Sequence, residues 1–176
     1  SPFFLGAGAY FHHIPASADH IIQRSEFLTA YTPYQPEIAQ GTLQAIFEFQ
    51  TFIAQLTGQD IANASMYDGA TATTEAALMA MRVTKRKKIA IGNALHPDYR
   101  AVLKTYMGNF DDCQIFDGAP DSDTACIIIQ SPDFYGQPHE PEQIRKQCDA
   151  AGALMIVVIK EIASLGLPPA PEMADL

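Results

Sequence analysis

Hydrophobic positions along the chain change rhythm partway through. After Thr42, apolar residues fall at Leu43, Ile46, Phe47, Phe49, Phe52, Ile53 and Leu56, with Gly58 as a stop. Spacings of three and four predict a helix. A second helix is expected just after Gly69, running Ala70 to Val83, with Ala, Met and Leu on most of its faces. So much apolar surface predicts burial against a sheet or another chain. Residues 1–40, rich in Pro, Tyr and His, read as irregular.

Beyond Val83 helical and extended patterns alternate. Lys88 to Gly92 reads as a short strand, and Pro97 to Tyr106 as a helix with proline in its first turn and Gly108 after its end. Gln114 to Phe116 and Thr124 to Gln130 read as strands, the second a β-branched apolar run bounded by Pro132. Pro141 to Ala151 is a helix stopped by Gly152, and Leu154 to Ile159 a strand. Such alternation predicts βαβ units, an α/β class and a mostly parallel sheet between helices. Ligands of such sheets sit at the carboxyl ends of the strands, so functional residues are expected in the loops that follow them.

Composition narrows the function classes. Among 176 residues, 48% are hydrophobic and 18% charged, an ordinary globular balance. Eleven Lys and Arg against twenty Asp and Glu give a formal charge of −9, which argues against nucleic-acid binding. The apolar runs 125–129 and 153–159 are too short to span a bilayer, and the start of the chain lacks the basic region of a signal peptide. A soluble protein is expected. Cys113, Cys126 and Cys148 form no CxxC pair and read as reduced thiols of a cytosolic-type compartment. The five histidines show no HxxxH or HExxH spacing, so no metal site is expected.

Three segments hold candidate chemistry. Ser65-Met66-Tyr67-Asp68-Gly69-Ala70-Thr71-Ala72 opens a helix. It reads either as a phosphate-sized nest of backbone N–H groups or as a plain cap in which Asp68 occupies the helix start. Asp68 would repel a phosphate at close range. Tyr31-Thr32-Pro33-Tyr34-Gln35-Pro36-Glu37 is stiffened by two prolines. It is either a loop positioning a small polar ligand or a structural arm packed on a neighbouring surface. The basic run Arg82, Lys85, Arg86, Lys87, Lys88 reads as an anion site or as a solvated turn that complements a helix C-terminus.

The wording of longer stretches carries a resemblance. Phe3-Leu5-Gly6-Ala7-Gly8-Tyr10, His12-His13-Ile14-Pro15, the Tyr31 to Glu37 loop, Gln40-Gly41-Thr42-Leu43-Gln44, Phe49-Gln50-Thr51, the Asn63 to Ala72 segment, Gln130 to Gly136 and Ser164-Leu165-Gly166-Leu167 occur in this order. Together they resemble the P-protein of the glycine cleavage system, a pyridoxal-phosphate-dependent glycine dehydrogenase (decarboxylating). The likeness covers essentially the whole chain and is closest to the amino-terminal part of subunit 1 in the split-chain form of that family. It implies a fold type I, aspartate aminotransferase-like large domain, incomplete in this chain. An amino-terminal arm and helix would occupy residues 1–62, and the first part of the large domain 63–176.

The resemblance also implies an activity. In the family, glycine displaces a lysine from the cofactor, CO2 departs with the pyridinium as electron sink, and the aminomethyl group passes to the lipoyl disulfide of H-protein. The lysines at 85, 87, 88, 104, 146 and 160 lack the family's aldimine context. That lysine, and most pyridoxal phosphate contacts, are therefore expected on the partner, subunit 2, within a heterotetrameric cytoplasmic enzyme. By resemblance Ser65, Gly69, Ala70 and Thr71 stand at a vestigial phosphate cup, and Glu161 at the place of a pyridine-nitrogen carboxylate, more as a structural residue than a cofactor contact. Tyr31, Thr32, Tyr34 and Gln35 are expected to shape the glycine pocket in trans. The alternative is a non-catalytic scaffold module of the same family. The chain is read as a fragment, and residues 165–175 look compressed relative to the family.

Overall fold

The computed structural model describes residues 10–27, 32–139 and 141–166. Four strands, β1 (Lys88–Ile91), β2 (Gln114–Asp117), β3 (Thr124–Gln130) and β4 (Leu154–Val158), form one sheet in the order β2-β1-β3-β4. Every pairing is parallel. The α/β class and parallel sheet are as expected. All seven residues of β3 are buried, which is why its sequence is a continuous apolar run rather than an alternation.

The sheet is covered on both faces. On one, α3 (Gly69–Thr84) and α4 (Pro97–Met107) bring Ala77, Leu78, Ala80, Leu103 and Met107 onto Ile89, Ile91, Cys126, Ile128 and Ile156. Ala77 and Ala80 are fully buried, and their short side chains let α3 lie close on the strands. On the other, α5 (Pro141–Ala151) sets Cys148 and Ile144 against Ala90, Ile127, Ile129 and Met155. Alternate β3 residues thus serve opposite cores, as the pleat requires.

The earlier segments behave differently. Residues 1–40 were expected to be irregular, but Ala16–Ile22 forms α1, entered from extended Pro15, and Ser25–Phe27 a 3-10 turn. Seven residues are too few to show helical periodicity, and none is buried. Helix α2 (Gln40–Thr57) ends as expected at Gly58, whose φ of 71° is the left-handed region glycine tolerates. It also buries no residue: Phe47, Phe49, Phe52 and Leu56 are all exposed.

The candidate site at the carboxyl edge

The chain runs from β1 out to β2 on one side, then returns to β3 and β4 on the other. The crevice at the carboxyl ends of β1 and β3 is therefore the switch point where such sheets take ligands. Here it is laced shut by the chain's own polar groups. Asn93, just after β1, donates from Nδ2 to the Gln130 carbonyl at 2.7 Å and accepts the Gln130 N–H at 2.9 Å. The Gln130 side chain accepts the His96 N–H at 2.9 Å and donates to the Pro132 carbonyl at 3.0 Å. His96 Nδ1 accepts the Asp98 N–H at 3.2 Å and so caps α4.

The start of α3 is also closed. Asp68 accepts the Thr71 N–H at 2.7 Å, while the Asp68 N–H donates to Thr71 Oγ1 at 3.2 Å, forming a reciprocal capping box. The Thr71 N–H holds the Asp68 carboxyl below its usual range. Tyr99, on α4, lies over the same turn. A Cβ added to Gly69 would fall on the Tyr99 hydroxyl, so the glycine is what lets the ring in. Burial, and then the Asp68 charge, push the Tyr99 hydroxyl pKa up, so it stays protonated. The Lys160 ammonium sits 5.1 Å from the Tyr99 ring centroid, a cation–π distance, and the His96 ring lies 5.5 Å away.

This donor set does not fit the phosphate of pyridoxal phosphate. Such a group needs free N–H donors and a positive opening. Instead the Thr71 N–H is taken, Tyr99 fills the approach to Gly69, and a carboxylate stands at the helix start. Ser65 is exposed and makes no hydrogen bond among the described residues. Of the two readings of this segment, the geometry is that of the cap.

Glu161 follows β4 and is likewise committed. One carboxylate oxygen meets His12 Nε2 at 2.7 Å, and the other accepts the Ala163 N–H at 3.0 Å. The Ala163 N–H, with His12 after it, keeps this carboxyl below its usual range. The amino-terminal arm is thus tied across the end of β4, a link spanning 149 positions. Tyr99, Asn93, Gln130 and His12 were missed by sequence reasoning; none has a local signature, since each acts on a residue distant in the chain.

Tyr31 lies outside the described residues. Thr32, Tyr34 and Gln35 lie on an open turn, with the Tyr34 N–H bonded to the Thr32 carbonyl at 2.9 Å. The Tyr34 ring is 87% exposed and touches no other described ring. The three are close in sequence to one another and joined by no hydrogen bond to the α3 cap or to Glu161. Among the described residues, no group of three or more His, Cys, Asp or Glu side chains is placed to hold a metal. Cys113, Cys126 and Cys148 form no disulfide, and burial pushes the Cys126 thiol up to about 12. No described helix is long and apolar enough to cross a membrane.

Comparison with known proteins gives a consistent result. A family model described as the glycine cleavage system P-protein matches residues 2–176. A protein of Azorhizobium caulinodans named probable glycine dehydrogenase (decarboxylating) subunit 1 is 52% identical over 188 residues, covering 99% of this chain and 42% of that sequence. A protein of the same name from Methylocella silvestris is 52% identical over 189 residues, covering all of this chain and 42% of that one. Among solved structures, an inhibitor-bound glycine decarboxylase (P-protein) of the glycine cleavage system superposes with a TM-score of 0.89 at 41% identity. It is covered to 42% by this chain, which itself is covered to 98%. The chain thus spans about two fifths of the relatives it matches.

Proposed function

The chain belongs to the glycine cleavage system P-protein family, and we propose that it supplies the amino-terminal part of subunit 1 of a two-subunit, cytoplasmic glycine dehydrogenase (decarboxylating). In this reading subunit 2 binds pyridoxal phosphate, the electron sink for decarboxylating glycine, and the aminomethyl group goes to the lipoyl group of H-protein. The supporting observation is the closed start of α3: among the described residues, Tyr99 lies over Gly69 and Asp68 takes the Thr71 N–H, which leaves no opening for a phosphate at that turn.

What this chain contributes is surface. On helix α2 the 100° step per residue puts Phe49, Phe52, Ile53 and Leu56 on one side, an apolar stripe of the kind that marks an assembly face. The Tyr31, Thr32, Tyr34 and Gln35 loop lies just before it in the chain, and the exposed Tyr34 ring is free to reach a partner's glycine pocket.

The test uses the chain with and without subunit 2, following exchange of glycine carboxyl carbon with bicarbonate. Exchange in the mixture, none with either component, and a several-fold loss with Tyr34→Phe is the expected result. Assembly that leaves exchange no faster than subunit 2 alone would replace this reading with the scaffold reading, and unchanged kinetics in Tyr34→Phe would remove the role in trans.

A further inference from the structure

The opposite, amino-terminal edge of the sheet holds an open cavity of about 280 Å3. Leu78, Met81 and Phe110 form an apolar floor, and Arg82 and Lys85 stand among the cations at its rim. Five cations cluster within 82–88, and three are already engaged. Arg86 donates to the carbonyls of Thr124, Ala151 and Gly152 at 2.7–3.0 Å and is a structural clamp. Lys87 donates to the Asp111 carbonyl at 3.0 Å, with Asp112 at 4.0 Å, and Lys88 is paired with Asp121 and Asp123. Arg82 and Lys85 are exposed and have no hydrogen bond or ion pair among the described residues. Lys85 holds a φ of 60° at the end of α3, where glycine is the usual residue.

We infer that this cavity docks an acidic peptide segment of a partner protein, seating one bulky apolar side chain on Leu78, Met81 and Phe110. Carboxylates flanking that side chain pair with Arg82 and Lys85. The volume falls at the lower limit of small-molecule sites, roughly 300–1,000 Å3, and suits a single Leu or Phe anchor. The floor lacks the convergent polar groups that orient a small ligand. Arg82, in the last turn of α3, and Lys85, its left-handed cap, both line the cavity and match successive charges along a chain. The net charge of −9 does not prevent this: acids farther off than about 8 Å are screened at physiological salt, whereas carboxylates in contact with Arg82 and Lys85 are not. Asp111 and Asp112 sit beside Lys87, so the segment enters from the α3 side.

The experiment is a fluorescence-anisotropy titration of the full 176-residue chain with a dye-labelled acetyl-Glu-Glu-Leu-Phe-Glu-Glu-amide peptide. Saturable binding is expected, weakening as salt rises and at least about tenfold weaker to the Arg82→Glu, Lys85→Glu double variant. Phe110→Ser, at a half-exposed site, is expected to weaken it several-fold, with circular dichroism checking that both variants fold. Replacing Leu-Phe in the peptide by Ser-Ser is expected to abolish binding. Equal affinity for the Ser-Ser peptide, no effect of the double variant, or binding only to phosphatidylserine vesicles would each overturn the inference.

Discussion

Helices α2 and α3 are neighbours in the chain and similar in apolar content, yet they meet opposite fates. Helix α3 buries Ala70, Thr73, Thr74, Ala77, Leu78 and Ala80, most of them small, and lies flat on the sheet. Helix α2 carries phenylalanines instead and buries nothing. Small residues suit close approach to strands of the same chain, whereas large exposed rings need a second surface brought to them. The same division separates the two candidate sites. The α3 cap and the crevice are filled from within, by Tyr99, Lys160 and the Asn93–Gln130 pair. Among the described residues nothing covers Tyr34, which is 87% exposed. A chain whose inward site is closed and whose outward loop is bare is suited to act on another subunit.

The contrast can be broken most forcefully in the core. Ile128→Ala, at a fully buried position of β3, is expected to cost about 2–5 kcal/mol in urea unfolding. Gly69→Ala forces the Tyr99 ring to move and is expected to cost about 1–3 kcal/mol; a loss below a few tenths would mean the ring yields freely. Phe52→Ala, by contrast, is expected to change the stability of the isolated chain by less than about 0.5 kcal/mol. The proposed assembly role of α2 predicts instead a weaker association with subunit 2, read by sedimentation.

The smallest effect is one of shape with pH. Lys88 first, then Thr124, hold Asp121 down to about 2. An unfolded aspartate titrates near pH 3.9, so the folded chain holds this carboxylate more strongly as the ion. The stabilisation is present above about pH 4 and lost as pH falls through about 2. Asp121→Asn should flatten stability in that window and leave its slope near neutrality unchanged.

Much of this was legible in the sequence because it is local. The β-branched run 124–130, proline at the start of α4 and Gly58 after α2 each act within a few residues of where they stand. Helix α1 was not legible: about two turns with no buried face leave no periodic trace. Nor was the fate of α2, because periodicity reveals a face but not what covers it. Asp68 was readable as a cap, yet the decision between cap and cup rests on Tyr99, far along the chain, and on Lys160, which arrives from the end of β4. Residues 82–88 were read as one basic run, but the fold divides them between a carbonyl clamp, acid partners and two unengaged rim cations.

Borohydride reduction of the isolated chain with pyridoxal phosphate, followed by mass spectrometry, addresses the central claim: that the chain's own cofactor site is closed. No more than trace, unselective labelling of surface lysines is expected, and no glycine-dependent absorbance change. Stoichiometric labelling of Lys160, with a cofactor absorbance that responds to glycine, would contradict it.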